Sequence, residues 1–112
     1  MKLFLILALA LGALVLYAQD TSPRVSGVEP GTAKAGDILT ATGENLDKGN
    51  LVDVFLTDGS KDYKGTITEQ NGTSVKFKVP ANVPAGRFAL MVLTGGKDPK
   101  LMEQPVKVTI EQ

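Results

Sequence analysis

The chain has 112 residues, 12 basic and 12 acidic side chains, and no cysteine, histidine or tryptophan. That length permits one small domain with a single core, and the balanced charge gives no reason to expect nucleic acid or an anionic membrane as partner. The missing residue types exclude disulfide staples, thiolate or imidazole metal ligands, a histidine general base and the best stacking surface for sugars.

The N-terminus begins with Lys2 and an uncharged apolar run over residues 3–16, and no further charge appears before Asp20. One positive charge, an apolar run and then small residues is the layout of a cleavable secretory signal peptide. Residues 1–18 are therefore expected to be removed after Ala18, with Leu16 at the third position before the cut larger than ideal. The alternative is an uncleaved anchor, for which the uncharged stretch is slightly short of the roughly 20 residues a spanning helix needs. No cysteine follows the run, which argues against a lipid anchor. Once cleaved, the chain is expected to be secreted or periplasmic and to have no membrane partner. Residues 19–22 read as a flexible lead-in, and residues 23–111 as one domain.

From Gln19 onward, short apolar alternations are broken by Gly, Pro, Asn and Asp, the pattern of an all-β domain. The first strand is "RVSGV" (24–28), where Val25 and Val28 are three apart and Gly27 could host a bulge. The stretch "EPGTAKAGDILTATGENL" (29–46) follows, and its Gly31 and Gly36 have the glycine spacing of a phosphate-binding loop. Such a loop next requires Lys and then Ser or Thr. Here Asp37 would repel phosphate, Ile38 ligates nothing, and "ILTAT" (38–42) reads as a strand where a helix should start. The glycines are instead expected to turn corners, Gly36-Asp37 leading into the strand and Gly43 out of it, with Leu46 returning to the core.

"LVDVFLT" (51–57) is the next strand, with Val52, Val54 and Leu56 expected inward and Phe55 outward. Asn45, Asp47 and Gly49, and then Asp58, Gly59 and Asp62, faintly suggest calcium loops, but the regular acidic spacing and closing Glu are missing. Residues 65–69 and 74–79 form an expected antiparallel hairpin around Asn71-Gly72, a pair that tolerates positive φ. Val75, Phe77 and Val79 should face in, Lys76 and Lys78 out, and Pro80 ends the strand. Asn71-Gly72-Thr73 also matches a glycosylation acceptor, although the hairpin already explains the pair. "GRFALMVLT" (86–94) is the most apolar strand, "GGKDPK" (95–100) a loop, and "MEQPVKVTIE" (102–111) the last strand, with Val106, Val108 and Ile110 inward.

Seven short strands with regular turn signals imply an all-β two-sheet sandwich of about seven antiparallel strands, held without a disulfide. If Phe88, Leu90 and Val92 face the core, Ala89, Met91 and Leu93 face out. In an immunoglobulin-like topology strands 51–57 and 86–94 are neighbours, so Phe55, Ala89, Met91 and Leu93 form a candidate interaction face. The alternative is that these apolar residues are singly tolerated and partly covered by long neighbouring side chains.

"Val28-Glu29-Pro30 … Gly36-Asp37-Ile38-Leu39-Thr40-Ala41-Thr42-Gly43-Glu44-Asn45-Leu46" resembles the opening of an IPT/TIG domain, and "VPANVPAGRFALMV" (79–92) is similar to that family's other recurring segment. The resemblance spans about Pro23 to Ile110 and implies an immunoglobulin-like fold that needs no disulfide. Similar modules occur in receptors, in certain transcription factors, beside sugar-processing enzymes and in small exported bacterial proteins. The basic loops of the DNA-binding members are missing, and only Tyr63 and Phe55 could offer sugars an aromatic surface.

The expected function is an exported binding or structural module that contacts another protein or a second copy of itself. It is expected to have no catalytic residue, no cofactor and no metal site. The alternative is a carbohydrate-binding accessory module of the cell surface or periplasm.

Overall fold

The computed structural model describes residues 22–112. The expected signal peptide over residues 1–18, and the expected lead-in except Ser22, lie outside the described residues. Among the described residues the chain forms nine strands: β1 (Arg24–Glu29), β2 (Thr32–Lys34), β3 (Ile38–Glu44), β4 (Leu51–Thr57), β5 (Asp62–Lys64), β6 (Thr66–Gln70), β7 (Ser74–Lys78), β8 (Gly86–Thr94) and β9 (Leu101–Glu111). They make a four-stranded sheet, β1-β3-β7-β6, and a five-stranded sheet, β2-β9-β8-β4-β5.

All seven expected strands are present. The two additions, β2 and β5, have three residues each, too few for alternation to register in sequence. β2 also lies parallel to β9, so the sandwich is not wholly antiparallel.

Side chains facing the gap between the sheets supply the core. Val25, Leu39 and Ala41 come from β1 and β3; Val75 and Phe77 from β7; Val54, Leu56, Leu90, Val92 and Val108 from the opposite sheet. Each fully buried aliphatic or aromatic side chain contributes about 1.5–3 kcal/mol, and this packing takes the place of a disulfide. Among the described residues, no buried side-chain nitrogen or oxygen lacks a hydrogen-bond partner.

Two glutamines tie the layers together. The buried Gln104 of β9 accepts a hydrogen bond at Oε1 from the Val25 N–H of β1 (2.7 Å). Gln70 at the end of β6 donates from Nε2 to the carbonyls of Leu46 (2.8 Å) and Leu51 (2.7 Å).

The chain changes sheets at five connections, β1–β2, β2–β3, β3–β4, β5–β6 and β7–β8. Between β1 and β2 the Glu29-Pro30 peptide is cis, and Gly31 O accepts from Thr109 N (2.9 Å). Between β5 and β6 the single residue Gly65 crosses the edge, its N–H bonded to Val54 O (3.0 Å). A Cβ there would lie 2.9 Å from the Phe77 ring, so the corner closes only around glycine.

Irregularities explain the remaining departures from the sequence reading. The bulge expected near Gly27 is present, as a register shift between Val25 and Gly27. A second shift, between Leu51 and Asp53, adds a residue to β4 and reverses the alternation before it. Leu51 is therefore buried, whereas Val52, expected inward, is 47% exposed.

Gly43 does not end the strand. It sits inside β3 beside β1, where an added Cβ would collide with the Arg24 carbonyl, so its role is close approach and not positive φ. Gly36 does have φ 90°, and the corner it makes is held by Lys34 N–H donating to Asp37 Oδ2 (2.9 Å) and Gly36 N–H donating to Val79 O (2.9 Å). At the β6–β7 hairpin, neither Asn71 nor Gly72 has positive φ. Asn71 Oδ1 instead accepts from the N–H groups of Thr73 and Ser74, both at 2.9 Å. The turn is built from a side-chain cap of the kind Asn provides.

Candidate functional site

Successive side chains on a strand point to opposite faces, so the burial of one face fixes the other. Val54 and Leu56 of β4, and Phe88, Leu90 and Val92 of β8, are buried in the core. Asp53, Phe55 and Thr57, and Ala89, Met91 and Leu93, therefore lie on the outer face of the five-stranded sheet. The pairing of β4 with β8 sets Phe55 directly across from Met91, Asp53 across from Leu93 and Thr57 across from Ala89.

The flanking strands extend these pairs into rows. On β9, Glu103 lies opposite Met91, Lys107 opposite Ala89 and Leu101 opposite Leu93. On β5, Lys64 lies opposite Phe55 and Asp62 opposite Thr57. Three rows result: Glu103–Met91–Phe55–Lys64, Lys107–Ala89–Thr57–Asp62, and Leu101–Leu93–Asp53.

All four residues singled out from the sequence lie on this face. Phe55, Met91 and Leu93 are half-buried. Ala89 is only 5% exposed yet lies outside the core cluster. It lines a shallow depression of about 150 Å³ with Thr57, Arg87, Glu103 and Lys107, so charged neighbours cover it.

Leu101, which falls between the expected loop (95–100) and the expected strand (102–111), is 53% exposed beside Leu93 and extends the apolar strip to the sheet's end. Leu101 and Met102 are consecutive apolar residues that show no alternation, and the Gly- and Pro-containing segment just before them concealed the strand's start. Charges frame the strip. Lys64 Nζ lies 3.5 Å from Asp53 Oδ1, with Glu103, Lys107 and Arg87 exposed around it.

The two acidic turns engage their carboxylates within the turns themselves. Asp58 Oδ1 accepts from Lys61 N–H (2.7 Å), Ser60 N–H (2.9 Å) and the Ser60 hydroxyl (3.1 Å). These bonds, that of Lys61 foremost, hold the Asp58 pKa below its ordinary value of 3.8. Asp47 accepts from Asn50 Nδ2 at Oδ1 (3.1 Å), while its carbonyl accepts from the Asn50 and Leu51 N–H groups. Among the described residues, no three His, Cys, Asp or Glu side chains group where they could hold a metal ion. Tyr63 does not offer its ring to solvent as a platform. It is half-buried and meets Phe88 edge-on, with centroids 5.9 Å apart.

The family profile described as IPT/TIG domain matches residues 23–110. No curated protein matches the chain. Among solved structures, the Bacteroides ovatus mixed-linkage glucan utilization locus SGBP-B, in complex with a mixed-linkage heptasaccharide, is similar at TM-score 0.58 and 16% identity, over 83% of this chain and 23% of that one. A Bacteroides thetaiotaomicron protein named provisionally as a phosphatase is similar at TM-score 0.53 and 24% identity, over 82% of this chain and 19% of that one. At these identities the likeness is one of fold, and this chain spans about a fifth of the length of either neighbour.

Proposed function

The chain belongs to the IPT/TIG family, and from that premise we propose that it is an exported, non-catalytic immunoglobulin-like module that contacts another protein through the outer face of its five-stranded sheet. The observation that carries this reading is the strip Phe55–Met91–Leu93–Leu101, contiguous across three strands and bordered by Asp53, Lys64, Glu103 and Lys107. Isolated surface apolar residues are ordinary, whereas a contiguous strip with a polar rim is the composition of a contact surface. The opposite sheet differs in arrangement: on β3 and β7 the exposed Ile38 stands across from Lys78 and beside Thr40, and Thr42 and Lys76 continue the polar face. Export is the reading that Lys2 and the apolar run over residues 3–16 support, and an N-terminus at Gln19 on the recovered protein would establish it.

Site-specific photo-crosslinking tests the face directly. A benzophenone amino acid at position 55 should yield protein adducts in cells that produce the chain, and the same probe at position 40 should not. Equal adducts from both positions, or none from position 55, would overturn the reading.

Carbohydrate binding is the rival. The chain resembles in fold a protein solved with a heptasaccharide, but its own Tyr63 is engaged with Phe88. Saturable binding on a glycan array, lost on Phe55→Ala, would favour that rival.

A further inference from the structure

The charged ends of the two longer rows carry information that the apolar strip alone does not. Reading across the sheet from β9 to β5, one row runs acidic, apolar, apolar, basic: Glu103, Met91, Phe55, Lys64. The next runs basic, small, small, acidic: Lys107, Ala89, Thr57, Asp62. Each row is complementary to its own reverse.

We propose that the partner of this face is a second copy of the chain, docked face to face about a two-fold axis lying along the strands between β8 and β4. The inference rests on the reading of this face as a protein contact. Such an axis reverses the order of every row while keeping its level along the strands. Glu103 then faces Lys64 of the second copy, Lys107 faces its Asp62, and Met91 faces its Phe55. By symmetry each pairing occurs twice, as an isologous interface requires. A different protein would have no need for both rows to match their own reverses. The third row, Leu101–Leu93–Asp53, does not match its own reverse: the axis sets Leu93 against Asp53 of the second copy, whose carboxylate stays beside its own Lys64.

The size of the face sets the strength. Four strands about 4.8 Å apart and three rows about 6.8 Å apart, with their side chains, span on the order of 400 Å² per copy. A stable interface buries about 800 Å² per partner. The pairing is therefore weak and concentration-dependent, with the two sheets crossing at roughly 30°.

Charge reversal in pairs provides the test, by sedimentation equilibrium of the chain in the N-terminal form in which it is recovered. The parent should pass from monomer to dimer with rising concentration. Asp62→Lys alone and Lys107→Asp alone should each weaken association about tenfold, because two attractive contacts become repulsive. The double variant Asp62→Lys/Lys107→Asp should restore it. Glu103→Lys should weaken association likewise, because a lysine then faces Lys64 of the second copy in both symmetric pairs.

A parent that stays monomeric at millimolar concentration, or a dimer whose singly reversed variants associate as tightly as the parent, would overturn the inference. So would a double variant no better than the singles. Heterologous adducts from the probe at position 55, with no adduct to the chain itself, would also overturn self-pairing while leaving the contact-face reading in place.

Discussion

Replacing Gln104 with Met would test how the two sheets are joined. Gln104 is 5% exposed, and its Oε1 accepts from the Val25 N–H on the edge strand of the opposite sheet. Met keeps a similar length and volume but offers that donor no oxygen. The buried Val25 N–H is then left bare, which costs about 1–3 kcal/mol, and the more favourable burial of a thioether offsets part of this. In a domain of this size each kcal/mol moves the melting midpoint by about 4–8 °C, so a fall of roughly 5–15 °C is expected. Urea denaturation should show a lower midpoint with an unchanged slope, the signature of lost stability without a change in exposed surface. Hydrogen exchange should show the Val25 amide losing protection, while amides in the centre of β8 change only by the global loss. A midpoint equal to that of the parent, with Val25 still protected, would refute the claim that this side chain joins the layers.

Three further outcomes follow from local geometry. Gly43→Ala should destabilise by about 1–3 kcal/mol in a denaturant melt, because its Cβ meets the Arg24 carbonyl; a neutral or stabilising result would mean that β1 can move away from β3 at no cost. Gln70→Glu should be more damaging than Gln70→Met, costing at least ~2 kcal/mol, since it removes the donor to Leu46 O and Leu51 O and sets a carboxylate against both; equal losses in the two variants would contradict this. Asp58 should titrate below 3.8 by NMR, carrying the Ser60 and Lys61 amide shifts with it. Because its folded pKa is depressed, its contribution to the turn is present above the ordinary value and is lost as pH falls through the lowered one; an Asp58 midpoint at or above 3.8 would contradict the turn's hydrogen bonding.

The sequence disclosed those parts of the fold that repeat a local rule. Val75, Phe77 and Val79 alternate with lysines over a full strand, and the seven strands with such runs all form. β2 and β5 were hidden because three residues show no period, and β2 pairs only because the chain changes sheets beside Pro30. Val52 was misplaced because a bulge is set by the register against β8, a long-range property that alternation within β4 does not encode. The sequence reading makes Gly43 a corner because its tight approach to Arg24 comes from a residue 19 positions earlier, on a strand hydrogen-bonded beside it. The candidate face was readable through the period of two on β4 and β8, which places Phe55 and Met91 together once those strands are neighbours. What alternation could not supply was the pairing with β9 and β5, and with it Leu101 and the charges that end each row.

The central claim is that Phe55 and Met91 belong to a contact surface and not to the core. The measurement that tests it most directly is sedimentation of the Phe55→Lys/Met91→Lys double variant beside the parent chain, with a thermal melt of the same samples. The account predicts a melting midpoint within a few degrees of the parent and loss of the complex that the parent forms. A collapse of the midpoint, corresponding to the roughly 3–5 kcal/mol that removal of a core aromatic costs, would contradict it, and so would a complex that survives both lysines.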